Sequence, residues 1–291
     1  MKPVDRFVNG KWTTVCDLKE DLVISRGHGV FEALEARRTA LFHWEDHYER
    51  LLASARRAHI SSDAWPSEED ILKKIKKLLE YSGHAESVVK VIVTAGDSKN
   101  QWMPDKDCQP KILLFAFPLA RVERPSLRLE IQVGIREFPE MKGTGMYESA
   151  KIRRTDAEFR GFDDFLYWDP WHGLTESALS NVFFITKGGS LITPADHILY
   201  GVTRKIILQI AESSNLFKEV RETRDLHLCM LKEVDEACLT STTLGVKEIA
   251  SITDFDEVHA FTVGADTKTA RLQTLFLAYR EDYYKNKKRD A

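Results

Sequence analysis

The chain has little that would tie it to a membrane, to nucleic acid or to an oxidising compartment. No apolar run approaches the roughly 20 residues that cross a bilayer, and the opening MKPVDRFVNGKW lacks the apolar core of a leader; a cytoplasmic location with no membrane partner is expected. Positive charge is not in excess. Lys and Arg number 42 against 45 Asp and Glu, a net charge of −3, which argues against the cationic footprint of a general nucleic-acid binder. The four cysteines, Cys16, Cys108, Cys229 and Cys238, are widely spaced, show no metal-ligand pattern and are expected as reduced thiols. Internal repeats and low-complexity tracts are missing as well.

What is present is the composition of a soluble globular protein, 43% hydrophobic and 30% charged, in 291 residues, enough for two domains. DRFVNGKWT (5–13) predicts a hairpin around Asn9–Gly10. Leu51, Leu52, Ala55 and Ala58 have helical spacing and predict a helix over 43–58. A second helix opens at Ser67, with acids in its first turn, and closes at Gly83. The Val- and Ile-rich ESVVKVIVTAG (86–96) and ILLFAFPLA (112–120) predict buried strands. Strands and helices interleave in both halves, so the expected fold class is α/β (α+β). The expected domains are 1–120 and 127–291, joined by a linker at 121–126.

Three short pieces between Ile135 and Arg204 concentrate the chemistry: FPEMKGTGMY (138–147), GLTESALSNVFFI (173–185) and HILYGVTRK (197–205). The first offers Lys142 beside Gly143 and Gly145, which permit close backbone approach. The second puts Glu176, Ser177, Ser180 and Asn181 just before a buried-looking strand, Val182–Ile185. In the third, Gly201 and Thr203 stand at the mouth of an amphipathic helix, where exposed N–H groups and a hydroxyl can cradle a phosphate. An amine, an acid and a phosphate cradle are what pyridoxal 5'-phosphate needs: the amine meets its aldehyde, the acid its ring nitrogen.

These pieces, together with SRGHGVFEALEARRTALFHWEDHYERLLASA (25–55), GVTR and TSTTLGV (240–246), resemble the class IV (fold-type IV) pyridoxal-phosphate enzymes over nearly the whole chain. That family comprises branched-chain and D-amino acid aminotransferases, (R)-amine transaminases and aminodeoxychorismate lyases. The resemblance implies an open α/β sandwich followed by a C-terminal pseudo-barrel, and a homodimer whose active sites are completed by the partner's N-terminal domain. It implies transamination between a small amino donor and a 2-keto acid acceptor. Outside transamination stand a lyase releasing pyruvate and a binding protein that has lost the chemistry.

Carried onto this chain, the resemblance makes Lys142 the catalytic lysine; Lys151, in the charged helix pattern SAKIRRTDAEFR, reads as solvated. Tyr147 has the lysine-to-tyrosine spacing of branched-chain enzymes, where the hydroxyl reaches the cofactor's phenolic oxygen. Glu176, in E-x-x-x-S-N-x-F, would face the pyridine nitrogen. Arg50, in HxxRL, would reach the phosphate with Val202, Thr203 and Thr242, and a guanidinium suits that task. Arg56 and Arg57 read as solvated. Leu199 would pack on one face of the ring or serve as plain core, and Ser241, Thr242 and Thr243 are either cofactor ligands or strand-end polar residues. On the substrate side, Phe31 fits a substrate-facing position or the core equally. Many relatives that bind α-carboxylates carry arginine where this chain has Ala95, and the loop after it offers Lys99 but no arginine. Lys90 stands at the arginine position of branched-chain enzymes and either receives a carboxylate or snorkels to solvent.

Overall fold

The structure, a computed structural model, describes residues 6–8, 11–13, 17–99, 102–105, 108–121, 125–224, 226–255 and 257–289. Asn9, Gly10 and Cys16 lie outside the described residues, as do 122–124 of the expected linker. The chain divides into two compact units. One comprises Met1–Arg121, Met141–Met146 and Tyr283–Ala291; the other comprises Val122–Glu140 and Tyr147–Asp282.

The first unit is built on a six-stranded sheet and three helices. In chain order these are β1 (Arg6–Val8), β2 (Lys11–Thr13), α1 (Leu22–Arg26), β3 (Gly29–Arg37), β4 (Ala40–Leu41), α2 (Trp44–Arg57), α3 (Glu68–Ser82), β5 (Glu86–Thr94) and β6 (Ile112–Pro118). The strands lie in the order β2-β1-β6-β5-β3-β4, and β1 and β2 pair as the expected hairpin. Burial alternates along β3 and β5, the period-2 pattern of a sheet covered on one face. Val30, Leu34, Val89, Val91 and Val93 are fully buried in one core with Leu51 of α2 and Ile71 and Ile75 of α3. Ser67 caps α3 by accepting from the Asp70 N–H, three acids complement the dipole of its first turn, and Gly83 ends it in the left-handed conformation. The stretch before β3 holds the short helix α1, because the Asp21 carboxylate accepts from the Val23 N–H at 2.9 Å.

Met141–Met146 belongs to the first unit. The reason is backbone pairing: Phe31 N donates to Lys142 O at 2.9 Å, and Thr144 N to Gly29 O at 2.8 Å. Met141 is buried in that unit's core. Chain from Tyr283 onward joins it too, with the Tyr283 ring stacked on His43 and its hydroxyl accepting from the His43 N–H.

The second unit contains β7 (Leu127–Val133), α4 (Glu148–Phe159), β8 (Asp164–Asp169), β9 (Gly173–Ser177), β10 (Asn181–Thr186), β11 (Leu191–Pro194), α5 (Val202–Ser213), β12 (Val220–Thr223), β13 (Val234–Ser241), β14 (Gly245–Asp254), β15 (Glu257–Ala260) and most of α6 (Lys268–Arg289). A 3-10 turn, Leu228–Glu233, precedes β13. The strand path runs β12-β11-β10-β13-β14-β7-β8-β9, and β9 pairs back onto β10, so six strands close into a barrel. Leu129, Leu166, Val182, Phe184, Leu239 and Ile249 fill its core. The closing register pair is Asn181 opposite Glu176.

Candidate active site

In the first unit, candidate groups gather where the Lys142 strip meets β3 and α2. The strip runs beside the free edge of β3, and Gly27 and Gly145 allow it: a Cβ on Gly27 (φ +64°) would lie 2.9 Å from the Gly145 Cα. The Lys142 N–H donates to Ser54 Oγ of α2 at 3.1 Å, so the lysine's backbone is held by both a strand and a helix. Its Nζ lies 4.9 Å from the centroid of the Phe31 ring, and the Nζ of Lys90 lies 5.1 Å from the same centroid. Phe31 is half-buried on the face of the sheet opposite the helices, and Lys90 sits on the same face of β5, opposite Ala33.

On the helix-covered face of β3, Glu32 is almost fully buried. Its carboxylate accepts from Arg50 Nε and from Arg50 Nη2, both at 2.7 Å, and contacts His47 Nδ1 at 2.7 Å. Burial works most strongly against the Glu32 charge, but the Arg50 guanidinium and His47 outweigh it and hold the carboxyl far below its ordinary range. For His47 burial outweighs the Glu32 charge and depresses the imidazole below its ordinary value.

The second unit places Glu176, Leu199 and Asn181 together at the barrel's closing seam. Glu176 Oε2 accepts the Leu199 N–H at 2.9 Å, and Asn181 Nδ2 donates to the Leu199 carbonyl at 2.8 Å. Both peptide groups of Leu199 are thus held by two residues that face each other across β9 and β10. A tight Ser177–Ser180 turn joins the strands, with Ser177 N donating to Ser180 O and Ser180 N to Ser177 Oγ. The other carboxylate oxygen, Oε1, accepts from Arg136 Nε at 2.8 Å and lies 2.7 Å from its Nη2. The Arg136 guanidinium also lies over the Tyr147 ring, 4.8 Å from its centroid. Burial opposes the Arg136 charge, and Glu176 and Tyr147 overcome it, raising the group above its usual value.

Two residues beyond Leu199, Gly201 takes the N-cap of α5 without a side-chain cap, and no acid occupies the first turn, which contains Val202 and Thr203. A Cβ on Gly201 would fall 2.2 Å from Asn181 Oδ1, so only glycine leaves the amide in place. Ser241 ends β13, and Thr242 and Thr243 form the turn into β14, with Thr243 exposed. Lys151, Lys99, Arg56 and Arg57 are exposed. Ala95 is buried in the first unit's core, and its N–H donates to His28 O at 3.0 Å.

Residues 29–252 match the amino-transferase class IV family. The chain belongs to that family. It is an aminotransferase. It is 28% identical over 290 residues to a D-alanine aminotransferase of Staphylococcus epidermidis, covering 95% of this chain and 98% of that one. A probable branched-chain-amino-acid aminotransferase of Rickettsia typhi is 27% identical over 230 residues, 77% of each chain. The fold matches that of the Escherichia coli branched-chain amino acid aminotransferase with a TM-score of 0.81 at 19% identity, over 95% of this chain and 94% of that one.

Several site neighbours of this class IV aminotransferase were not singled out as candidates in the sequence. Arg136 carries the clearest missed signal, a lone cation in the apolar pattern IQVGIREF ahead of Pro139. Glu32 and Ser54 give none, since an acid in VFEALEA and a serine in LLASA are ordinary.

The Glu32 cluster makes a test of its own. Glu32→Gln should destabilise the protein at pH 7 by about 3–5 kcal/mol, because it leaves the Arg50 charge without its buried carboxylate. A carboxyl depressed in the folded state stabilises above its unfolded value, so the difference from wild type should shrink as pH falls below about 4. Urea melts at several pH values measure it, and a gap that stays constant down to about pH 3 contradicts the assignment.

Proposed function

We propose that this class IV aminotransferase uses pyridoxal 5'-phosphate and transfers the amino group of an α-amino acid to a 2-keto acid. The observation that carries the reading is the placement of Lys142: its backbone is fixed to β3 and to Ser54, and its amine shares the Phe31 ring with a second amine, Lys90.

The donor set fits the cofactor. The uncapped, acid-free start of α5 at Val202 and Thr203 suits a phosphate dianion, with Thr242, Ser241 and Arg50 as the further ligands we assign. Leu199, held rigidly by Glu176 and Asn181, suits a ring face. When bound, pyridoxal phosphate supplies an aldehyde for an amine and an electron-accepting ring. Lys142 Nζ removes the proton from the substrate Cα and later returns it, a general acid–base role. Glu176 would face the pyridine nitrogen and favour its protonated form, with the Arg136 guanidinium held against its Oε1. The Tyr147 hydroxyl would donate to the cofactor's phenolic oxygen. Lys90 receives the substrate carboxylate, a role supported by its amine lying over the same Phe31 ring as Lys142. Thr243, exposed in its turn, is the secondary contact we assign to substrate. We also propose a homodimer, a reading supported by the stacked Phe115 and Phe117 on the sheet face away from the helices, Phe117 being 45% exposed.

Borohydride treatment of the loaded protein should fix the cofactor to the peptide containing Lys142, and Lys142→Ala should abolish both this labelling and the visible absorbance. Labelling at Lys151 would overturn the assignment. Lys90→Met should raise KM for amino acid donors about tenfold or more while leaving kcat close to wild type, since it removes binding energy common to ground and transition states. A primary amine without a carboxylate should be unaffected. If (R)-phenylethylamine is turned over well and every amino acid is refused, the amino acid reading fails. Sedimentation should give a dimer mass; a fully active monomer would exclude the dimer.

A further inference from the structure

The first unit contains a cavity of ≈ 480 Å³ at the end of β3 remote from Lys142. Its walls come from the β3–β4 turn, the first turn of α2, α3 and the last turns of α6. Phe31, which meets the Lys142 strip, and Arg37, which lines the cavity, lie six residues apart on one strand, roughly 20 Å. The cavity is therefore separate from the candidate site in that unit.

Its floor is apolar: Leu41, Leu72, the Trp44 indole and the Tyr284 ring line it. Trp44 has its one polar atom satisfied by Glu68 at 2.7 Å, so it offers the cavity an aromatic surface alone. The rim is cationic. Two of its cations are committed: Arg37 to Glu86 at 3.2 Å and to the face of Tyr284, and Lys287 to Glu45 at 3.2 Å. The other two, Arg38 and Lys76, are exposed and have no ion pair among the described residues. Glu45 is the one acid of the lining, and it already has Lys287.

Exposed cations on a helix face are ordinary, but Arg38 is not on a helix. Arg37 pairs with Ala40, so Arg38 and Thr39 form a two-residue hairpin turn. Arg38 takes its first position at φ +53°, where glycine is favoured and a long side chain is strained. The bond from Arg38 N to Ala85 O, 2.9 Å, holds it there. An apolar floor of this size under two uncompensated cations matches the pattern of small-molecule sites.

We propose that this cavity is a second binding site, for a small organic acid whose apolar ring rests on Trp44 and Leu72 and whose carboxylate meets Arg38 and Lys76. Neutral molecules of the same shape bind it more weakly, because they gain no attraction from the two cations.

The test uses full-length protein saturated with pyridoxal phosphate, titrated with phenylacetate and with neutral phenylacetamide. The readout is the Trp44 indole N–H resonance in ¹⁵N-labelled protein, assigned by its loss in Trp44→Phe. Phenylacetate should shift that resonance saturably, with an affinity about tenfold or more above that of the amide. The double variant Arg38→Glu/Lys76→Glu, both changes at exposed positions, should weaken phenylacetate by about tenfold or more. Its transamination without added acid should match wild type. Lys142→Ala, which disables the amino-transfer site, should leave the Trp44 shift intact, so binding here is judged apart from the functional reading. A Trp44 resonance unmoved at about 10 mM phenylacetate, equal affinity for acid and amide, or equal affinity in wild type and the double variant would each overturn the proposal.

Discussion

The barrel seam turns on two side chains gripping one peptide. Glu176 and Asn181 face each other where the sheet closes, and between them they hold both backbone groups of Leu199. A buried N–H and C=O must find partners or cost several kcal/mol. Here the partners are the very residues that complete the barrel, so closure and placement of the Leu199 turn are one event. The turn leads in two residues to Gly201 and the start of α5, and Gly201 is confined to glycine by Asn181 itself. Three separate sequence pieces are thereby locked to one another without any long-range charge. Arg136 then sets the electrostatics, since a buried carboxylate at the seam persists as an ion only with a cation against it.

In the first unit β3 has the corresponding part. Its two faces carry different duties, as the period-2 alternation of a strand allows. One face presents Phe31 to the amines of Lys142 and Lys90. The other drives Glu32 into α2, where it gathers His47 and Arg50. A shift of register by one residue would exchange these duties, and the nine-residue pairing of β3 with β5 prevents it.

Much of this was legible in the sequence, and the reasons differ by element. The hairpin strands, α2, α3, β5, β6 and β10 follow from local periodicity and capping residues, which act over a few neighbours. The fold class followed from motif order, and the closed barrel and the family match agree with it. What could not be read was anything dependent on which chain segments meet. The strip around Lys142 joins the first unit because β3 has a free edge, a fact invisible until the sheet is assembled. The burial of Ala95 and the pairing of Arg50 with Glu32 are likewise matters of tertiary neighbours. Arg136 could have been found as a charge in an apolar strand pattern, a signal that marks a buried ion pair as readily as a surface bulge.

The Arg50–Glu32 pair has a consequence for the charge balance of the interior. Arg50 is 12% exposed, and a cation at such depth would be a burden on the free polypeptide if an external anion were its sole counterpart. Glu32 removes that dependence, because its two oxygens already face the guanidinium before any other molecule arrives. The buried guanidinium therefore needs no anion from outside the chain to balance it. The strand thus carries the counter-charge of the helix it packs against, and the interior of the unit is neutralised from within.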